Sequence, residues 1–561
     1  MTLEKLRKFQ RFIFMGYILT MPFIWVSEKL AIPMMGNTWP VYFYLLAMGT
    51  LVYEYFKFGF EVPRKVTWYL VAIFAWYALC LFLGLVFYEY NATMNVATNP
   101  SQWIRKLTTA CPWTVQTFGE LFFVKVWQFV KGVQVIMIQL MYFPLMIYFV
   151  YHIYRGDFEQ GLADATKSAW ILCIAMALHS FLELSYYWFG AEWGKSYLLA
   201  VNPWLYMIPT WGYWWPPVLK YGNWQLRSLC PEPSFVSMIL ASAIPLLALS
   251  FTKFKANVKK IAFLFFWAFW GAMMLATKSR TVNVEWWLLH VMLLGSLVFV
   301  RNWKYARSVL ALCLMTALVT LGVTATGLTN HSPENPVRLK LEKVSAFLQP
   351  TPKPTQKPAP ASAPAPTPAP KPAPVPASKP APAPTPQPKQ AISNYMQDNL
   401  FNLESRNARS NGCRYASVVA AFSVAKQHPV FGVGLTLHDK YILDNMPDWA
   451  KGDWEINHNA NIHTRDAGNY VLSHVHNLAF FYLMAGGIPG LLLFLLPLLY
   501  CLYLCYKNIK NILHSETALC LLGMIFLTLA CGLNMGDPRG NLHIAIPVSL
   551  LCLWLKNNSK N

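Results

Sequence analysis

Charge is what this chain lacks first. Asp, Glu, Lys and Arg together make up only 13% of it, against roughly 25% in average soluble chains, which excludes an ordinary water-soluble globule. Acids are scarcer still: 25 Asp and Glu face 46 Lys and Arg, for a formal charge of +21. No CxxC pair occurs among the eleven cysteines, so no zinc ribbon or dithiol redox site is indicated. Most of them (Cys80, Cys173, Cys313, Cys501, Cys505, Cys520, Cys531, Cys552) lie in apolar runs, where a thiol behaves as a small hydrophobe. Cys111, Cys230 and Cys413 lie in polar stretches, and a disulfide on an outer face stays open there. No small-residue cleavage site follows the first apolar run, RFIFMGYILTMPFIWVS, so a retained span fits better than a removed signal peptide. There is also no internal repeat of the kind that marks many transporters.

What is present in excess is hydrocarbon: 55% of the residues are hydrophobic. Apolar runs of about 18 residues or more read as membrane spans. They predict an all-α polytopic membrane protein of about twelve transmembrane helices, near 11–27, 39–56, 67–88, 132–151, 169–189, 235–252, 260–277, 283–300, 305–327, 476–506, 516–534 and 541–556. GGIPG divides the run at 476–506 into a short helix and a span proper, because proline removes a donor and glycine loosens the helix. The excess of Lys and Arg collects in KFGFEVPRK, KFKANVKK, RNWKYAR, KNIKNILH and the tail KNNSKN. These are loops of one parity, which places that side and both termini in the cytoplasm and accounts for the positive charge without nucleic acid. RGDFEQGLADATK is the weak loop of the set, since its acids offset its bases.

The organisation that follows is a membrane segment at 1–327 with spans 1–9, a large outer loop at 328–475, and a second membrane segment at 476–561 with spans 10–12. Residues 350–390 of the loop are almost entirely Pro, Ala, Lys, Ser and Thr. Such sequence favours polyproline II and builds no core; it would reach roughly 120 Å if fully extended. Residues 392–426 read as helical and 435–474 as a polar loop. The Trp-rich stretch YLLAVNPWLYMIPTWGYWWPPVLKYGNW reads as an interfacial belt, with sugar contact as the alternative. His458, His463, Asp453 and Asp466 follow no metal-ligand spacing, and a solvated loop is preferred to a metal site.

Polar groups capable of chemistry gather on the outer side: QLRSLCPEPSF at 225–235, SRTVN at 279–283, CRYASVVAAFSVAKQHPVFGVG at 413–434 and HVHN at 474–477. Arg227 and Arg280 fit two readings, headgroup anchors or binders of an anionic group. His476 either serves the helix start beside Asn477 or acts as a general base near neutral pH.

In order and sidedness, R-x5-P-S-F, SR between two spans, R-x13-H-P-V-F-G-V-G and H-N-x9-G-I-P-G resemble the bacterial O-antigen ligase superfamily. The resemblance spans most of residues 160–535. That group includes O-antigen ligases, O-linked protein oligosaccharyltransferases and polysaccharide polymerases. The resemblance implies an inverting glycosyltransferase of the bacterial inner membrane that draws on an undecaprenyl-diphosphate-linked glycan at its periplasmic face, with no cofactor or metal. It implies His476 as catalytic base and Arg227 and Arg280 as diphosphate binders, with Arg414, Asn477, Glu232 and His474 as accessory candidates. O-antigen ligation to a lipid A–core acceptor is the favoured branch, because HN-x9-GIPG and the short SR turn look most like it; a protein acceptor or a second glycan are the alternatives. Two departures stand out: MAGG stands where the family often carries an acid, which leaves His476 without a carboxylate from that helix, and the proline-rich insert is unusual. Outside enzymes, the competing readings are a flippase of lipid-linked glycans and a scaffold working through its proline-rich segment.

Overall fold

A computed structural model of the chain describes residues 1–31, 38–94, 106, 109–206, 219–221, 223–328, 331, 336–337, 409–451, 477–534 and 541–558. All of them belong to one unit, formed by residues 1–337 and 404–561. The proline-rich insert, the His458–Asp466 stretch, His474 and His476 lie outside the described residues.

The described chain is mostly helical. Its main helices are α1 (Leu3–Thr20), α2 (Trp39–Phe58), α3 (Arg64–Val86), α4 (Glu120–Ile153), α5 (Phe158–Phe189), α6 (Glu192–Leu205), α7 (Val236–Ser242), α8 (Ile244–Lys253), α9 (Asn257–Ala276), α10 (Arg280–Ser296), α11 (Trp303–Ala325), α12 (Arg409–Gln427), α13 (His438–Asp444), α14 (Leu478–Lys507), α15 (Glu516–Asn534) and α16 (Asn541–Asn558). One small hairpin departs from the all-α expectation: β1 (Leu219–Tyr221) pairs antiparallel with β2 (Asn223–Gln225). A helix stands at each position where a span was expected. Six of these helices are long and apolar enough to cross a membrane, and seven if the bent pair Pro233–Ser242 and Ile244–Lys253 counts as one.

Three differences from the expected elements have physical causes. Helix α1 begins at Leu3, where Thr2 accepts from the Lys5 amide, so the basic segment ahead of the first apolar run is helical. Its cations are neutralised within the fold. Arg7 donates to both Glu54 carboxylate oxygens at 3.0 and 2.6 Å, joined by Gln10 and His152. Arg11 donates to both Asp164 oxygens at 2.7 and 3.1 Å, and Tyr154 donates to the same carboxylate at 2.8 Å. Asp164 belongs to the weakly basic RGDFEQGLADATK loop, so the acid that blurred the charge count is the partner of an N-terminal arginine. Arg11 is a third exposed and Asp164 nearly buried, so Arg11→Ala should destabilise the fold by about 2–3 kcal/mol, between the exposed and buried cases. Thermal unfolding in detergent would read this as a lowered midpoint.

The second difference is in α4, which loosens into a π-turn at Met141–Leu145 around Pro144, as expected where proline removes a rung. The third is in the outer loop. Of the helix expected at 392–426, the described part runs over Arg409–Gln427, and the short helix α13 interrupts the stretch read as a polar loop. None of the eleven cysteines is placed in a disulfide, Cys111, Cys230 and Cys413 included.

Candidate active site

The site is best built from Arg227 outward. This arginine is 2% exposed. Its guanidinium carbon stands 4.0 Å from the centre of the Tyr206 ring, a cation–π distance. The chain on either side is held by α5. Glu183 accepts the backbone N–H of Arg227 at 3.2 Å and of Ser228 at 2.9 Å, and the Ser228 hydroxyl donates to the Met176 carbonyl at 3.1 Å. The Tyr206 hydroxyl donates to the Ser228 carbonyl; burial keeps this phenol protonated far above its ordinary pKa. Ser228 itself has a φ of +56°, so three groups hold a residue in a left-handed conformation that L-residues disfavour. Glu183 was overlooked in the sequence, although a lone carboxylate inside ALHSFLELSYYWF is a strong signal, because a charge in a span is expensive and is kept for a reason.

Arg280 is brought to the same place by the backbone. The Leu226 amide donates to the Ala276 carbonyl at 3.1 Å, which ties the Arg227 loop to the end of α9. Only residues 277–279 then intervene before α10 opens with Arg280 as its first residue. The Ser279 side chain makes no capping bond there, so the helix presents uncapped N–H groups and the positive end of its dipole alongside a guanidinium. That combination suits an anion.

Glu232 lies on the entry to α7 and accepts from the Ser234 hydroxyl at 3.2 Å, the role of a satisfied loop carboxylate. The Pro233–Phe235 turn packs on α10. Just inside α7, the Ser237 hydroxyl meets the Cys531 thiol at 3.0 Å. Glu285, buried on α10, faces that same thiol; it too was overlooked, as the one acid in VNVEWW. Beside Cys531, a side chain on Gly532 would meet Leu478 at 3.7 Å. The start of α14 therefore lies at the end of the bundle where α7 and α10 begin and α15 closes.

Asn477 occupies that start and caps it, accepting from the Ala479 and Phe480 amides at 3.0 and 3.2 Å. Its side chain is spoken for by the helix. His476 precedes it in sequence, outside the described residues. Arg414 is half-buried on α12, and its Nε has no hydrogen-bond partner among the described residues. Helix α12 packs on α14.

The HPVFGVG and AGGIPG motifs prove to be one structural joint. Val433 N–H donates to Met484 O at 2.7 Å, and Ile488 N–H donates to Pro429 O at 2.8 Å. Trp76 Nε1 donates to Gly486 O at 2.8 Å while its ring stacks on Phe431. Gly487 breaks the helix with φ +65° and ψ −168°, a conformation open to glycine alone. The expected break in this run is thus present, made by Gly487 and stapled by the loop that follows α12. Among the described residues no group of three or more His, Cys, Asp or Glu is placed to hold a metal ion.

Comparison with known families matches residues 261–495 to the model described as O-antigen ligase. The match takes in Arg280, Arg414, His474, His476 and Asn477 and stops short of Arg227 and Glu232. Comparison with curated proteins gives no match. The matched family groups glycosyltransferase-like membrane enzymes of the ligase and polymerase type, acting in general on a lipid-linked glycan and an acceptor. The long apolar helices mark the chain as a membrane protein, and its residues 261–495 are similar to the O-antigen ligase family.

Proposed function

We propose that this protein transfers a glycan from a polyprenyl diphosphate to an acceptor hydroxyl at the periplasmic face of a bacterial inner membrane, ligating O-antigen to lipid A–core. In this reading the chain crosses the bilayer at the twelve expected spans with both termini in the cytoplasm, and residues 328–475 form the outer loop between membrane segments 1–327 and 476–561. The observation that carries it is the Leu226–Ala276 hydrogen bond, which joins the loop of a buried arginine to the turn where a second arginine opens a helix.

The chemistry needs two things. An acceptor oxygen must attack the anomeric carbon while its proton leaves, and the bond from that carbon to the diphosphate must break as charge builds on the leaving group. Arg227 and Arg280 stay charged at any physiological pH and grip phosphate oxygens in a fork. The dipole of α10 adds to them, and a site of low dielectric strengthens all three. Held by Glu183 and Tyr206, Arg227 has little freedom to lose on binding, so the donors are fixed before the charge develops. His476 takes the acceptor proton. Displacement in line inverts the anomeric centre, and the diphosphate departs on its lipid.

The test uses the purified chain in liposomes with a polyprenyl-diphosphate-linked glycan and an acceptor. Arg280→Ala should lower kcat/KM about 10²-fold, the usual effect of removing one preorganised donor. Rates equal to wild type for both Arg227→Ala and Arg280→Ala would remove the mechanism, and absence of any transfer alongside lipid translocation would favour a flippase. The acceptor is read separately from cell glycans after gene deletion: uncapped core supports ligation, whereas unglycosylated protein or single-repeat chains would assign a different branch.

A further inference from the structure

Among the described residues only three other than glycine hold a positive φ: Ser228, Lys278 and Thr436. Two of these flank the candidate site. Ser228 follows Arg227, and Lys278, at φ +49°, lies two residues before Arg280. A lysine gains nothing locally from this conformation, which glycine and asparagine adopt more readily. The turn fixes it there: Lys278 N–H donates to Leu275 O at 3.2 Å, and Ser279 N–H donates to the Thr277 hydroxyl at 3.2 Å. The result is to direct the ammonium back over α5. Its Nζ stands 5.6 Å from the centre of the Tyr187 ring.

Tyr187 lies one helical turn beyond Glu183, the carboxylate that holds the Arg227 backbone, a rise of about 6 Å. Lys278 and Arg227 are therefore stationed over adjacent turns of one helix face. The ammonium is half-buried and joins no ion pair among the described residues. A cation held by backbone strain, resting on an aromatic face and given no carboxylate is placed for an anion brought from outside.

We propose that Lys278 is a phosphate-binding residue of this site, meeting the carrier diphosphate beside Arg227 and Arg280. The inference deepens the diphosphate reading above and rests on it. An ammonium complements the two guanidiniums: it is a compact point charge with three donors that follows the phosphate as it leaves, whereas the forks fix its orientation. The competing role is purely structural, a lysine anchored on Tyr187.

Backbone strain separates the two roles. In the full-length protein in liposomes, Lys278→Gly relaxes the positive φ, so its unfolding temperature should equal or exceed that of wild type. Its KM for the polyprenyl-diphosphate donor should nevertheless rise about tenfold, the usual effect of losing one charged hydrogen bond. Lys278→Asn, which also tolerates the conformation, should behave alike, and Lys278→Arg should recover most of the donor affinity. Arg280→Ala is the control. If it raises the donor KM while Lys278→Gly and Lys278→Asn do not, the lysine is only an anchor and this inference is overturned. If Arg227→Ala and Arg280→Ala also leave the donor KM unchanged, the diphosphate reading and the role of Lys278 fall together.

Discussion

Gly487→Ala will empty the membrane fraction of most of its folded protein. Gly487 stands at φ +65° and ψ −168°, and a side chain there costs about 1–3 kcal/mol in conformation alone. The new Cβ would also run into the carbonyl oxygens of Val430 and Pro429, and forcing backbone apart adds about 1–3 kcal/mol. The joint cannot yield cheaply. Gly432 presses on Met484 O and on the Gly486 and Gly487 amides from the other side, and Gly84 of α3 lies against Val433 O. Against a typical stability of about 5–15 kcal/mol, the sum is a large share. Gly432→Ala should act alike, at φ +62° and with the same crowding. Gly49→Ala is the control: that glycine lies in α2 with nothing within 4 Å of a built Cβ, and its level and unfolding temperature should stay at wild type. The readouts are the amount extracted by mild detergent as a monodisperse peak, and its thermal midpoint. A Gly487→Ala protein that extracts and melts like wild type would show that the joint does not hold α14.

His476→Ala should leave a folded protein that transfers glycan about 10²–10⁴-fold more slowly, the range of a positioned general base. Folding should survive because Asn477 caps α14, satisfying the Ala479 and Phe480 amides. Asn477→Ala should do the converse, loosening the helix start by about 1 kcal/mol with a smaller loss of rate. The sign of the pH dependence follows from the base role. The imidazole must be neutral to take a proton, so wild-type kcat should fall on acidification, and the residual rate of His476→Ala should lack that limb. Transfer is measured at matched protein levels with donor and acceptor saturating. Wild-type kcat in the alanine variant, or an unchanged acid limb, would end the assignment of His476 as the base.

How far the sequence could be read differs from element to element. Each predicted span is matched by a helix, because the signal for α3 or α11 is a long run of apolar side chains that no loop tolerates. The first helix begins at Leu3, ahead of the apolar run near 11–27, and takes in both Arg7 and Arg11. Only Glu54 and Asp164, 47 and 153 residues away, make them part of the helix bundle. Arg227 and Arg280 were legible as cations beside apolar runs, but nothing in their spacing announces the hydrogen bond from Leu226 to Ala276. Glu183 was legible in principle, as an acid amid hydrocarbon, and was passed over because it belongs to no motif. The GIPG and HPVFGVG motifs were read as separate marks of a family, and their contact lies in carbonyl oxygens and amides that sequence does not display.

Composition and periodicity by themselves determined that this chain lives in a membrane as helices and that its polar groups cluster at span ends, since burial of apolar surface is a local property of each run. Tertiary structure alone decided that Glu183 and Tyr206 grip the Arg227 loop, that Lys278 is turned over Tyr187, and that two glycine motifs close into one joint. Those are pairings between backbone and side chain across long separations in the sequence, and only the packed helices bring them within a hydrogen bond's reach.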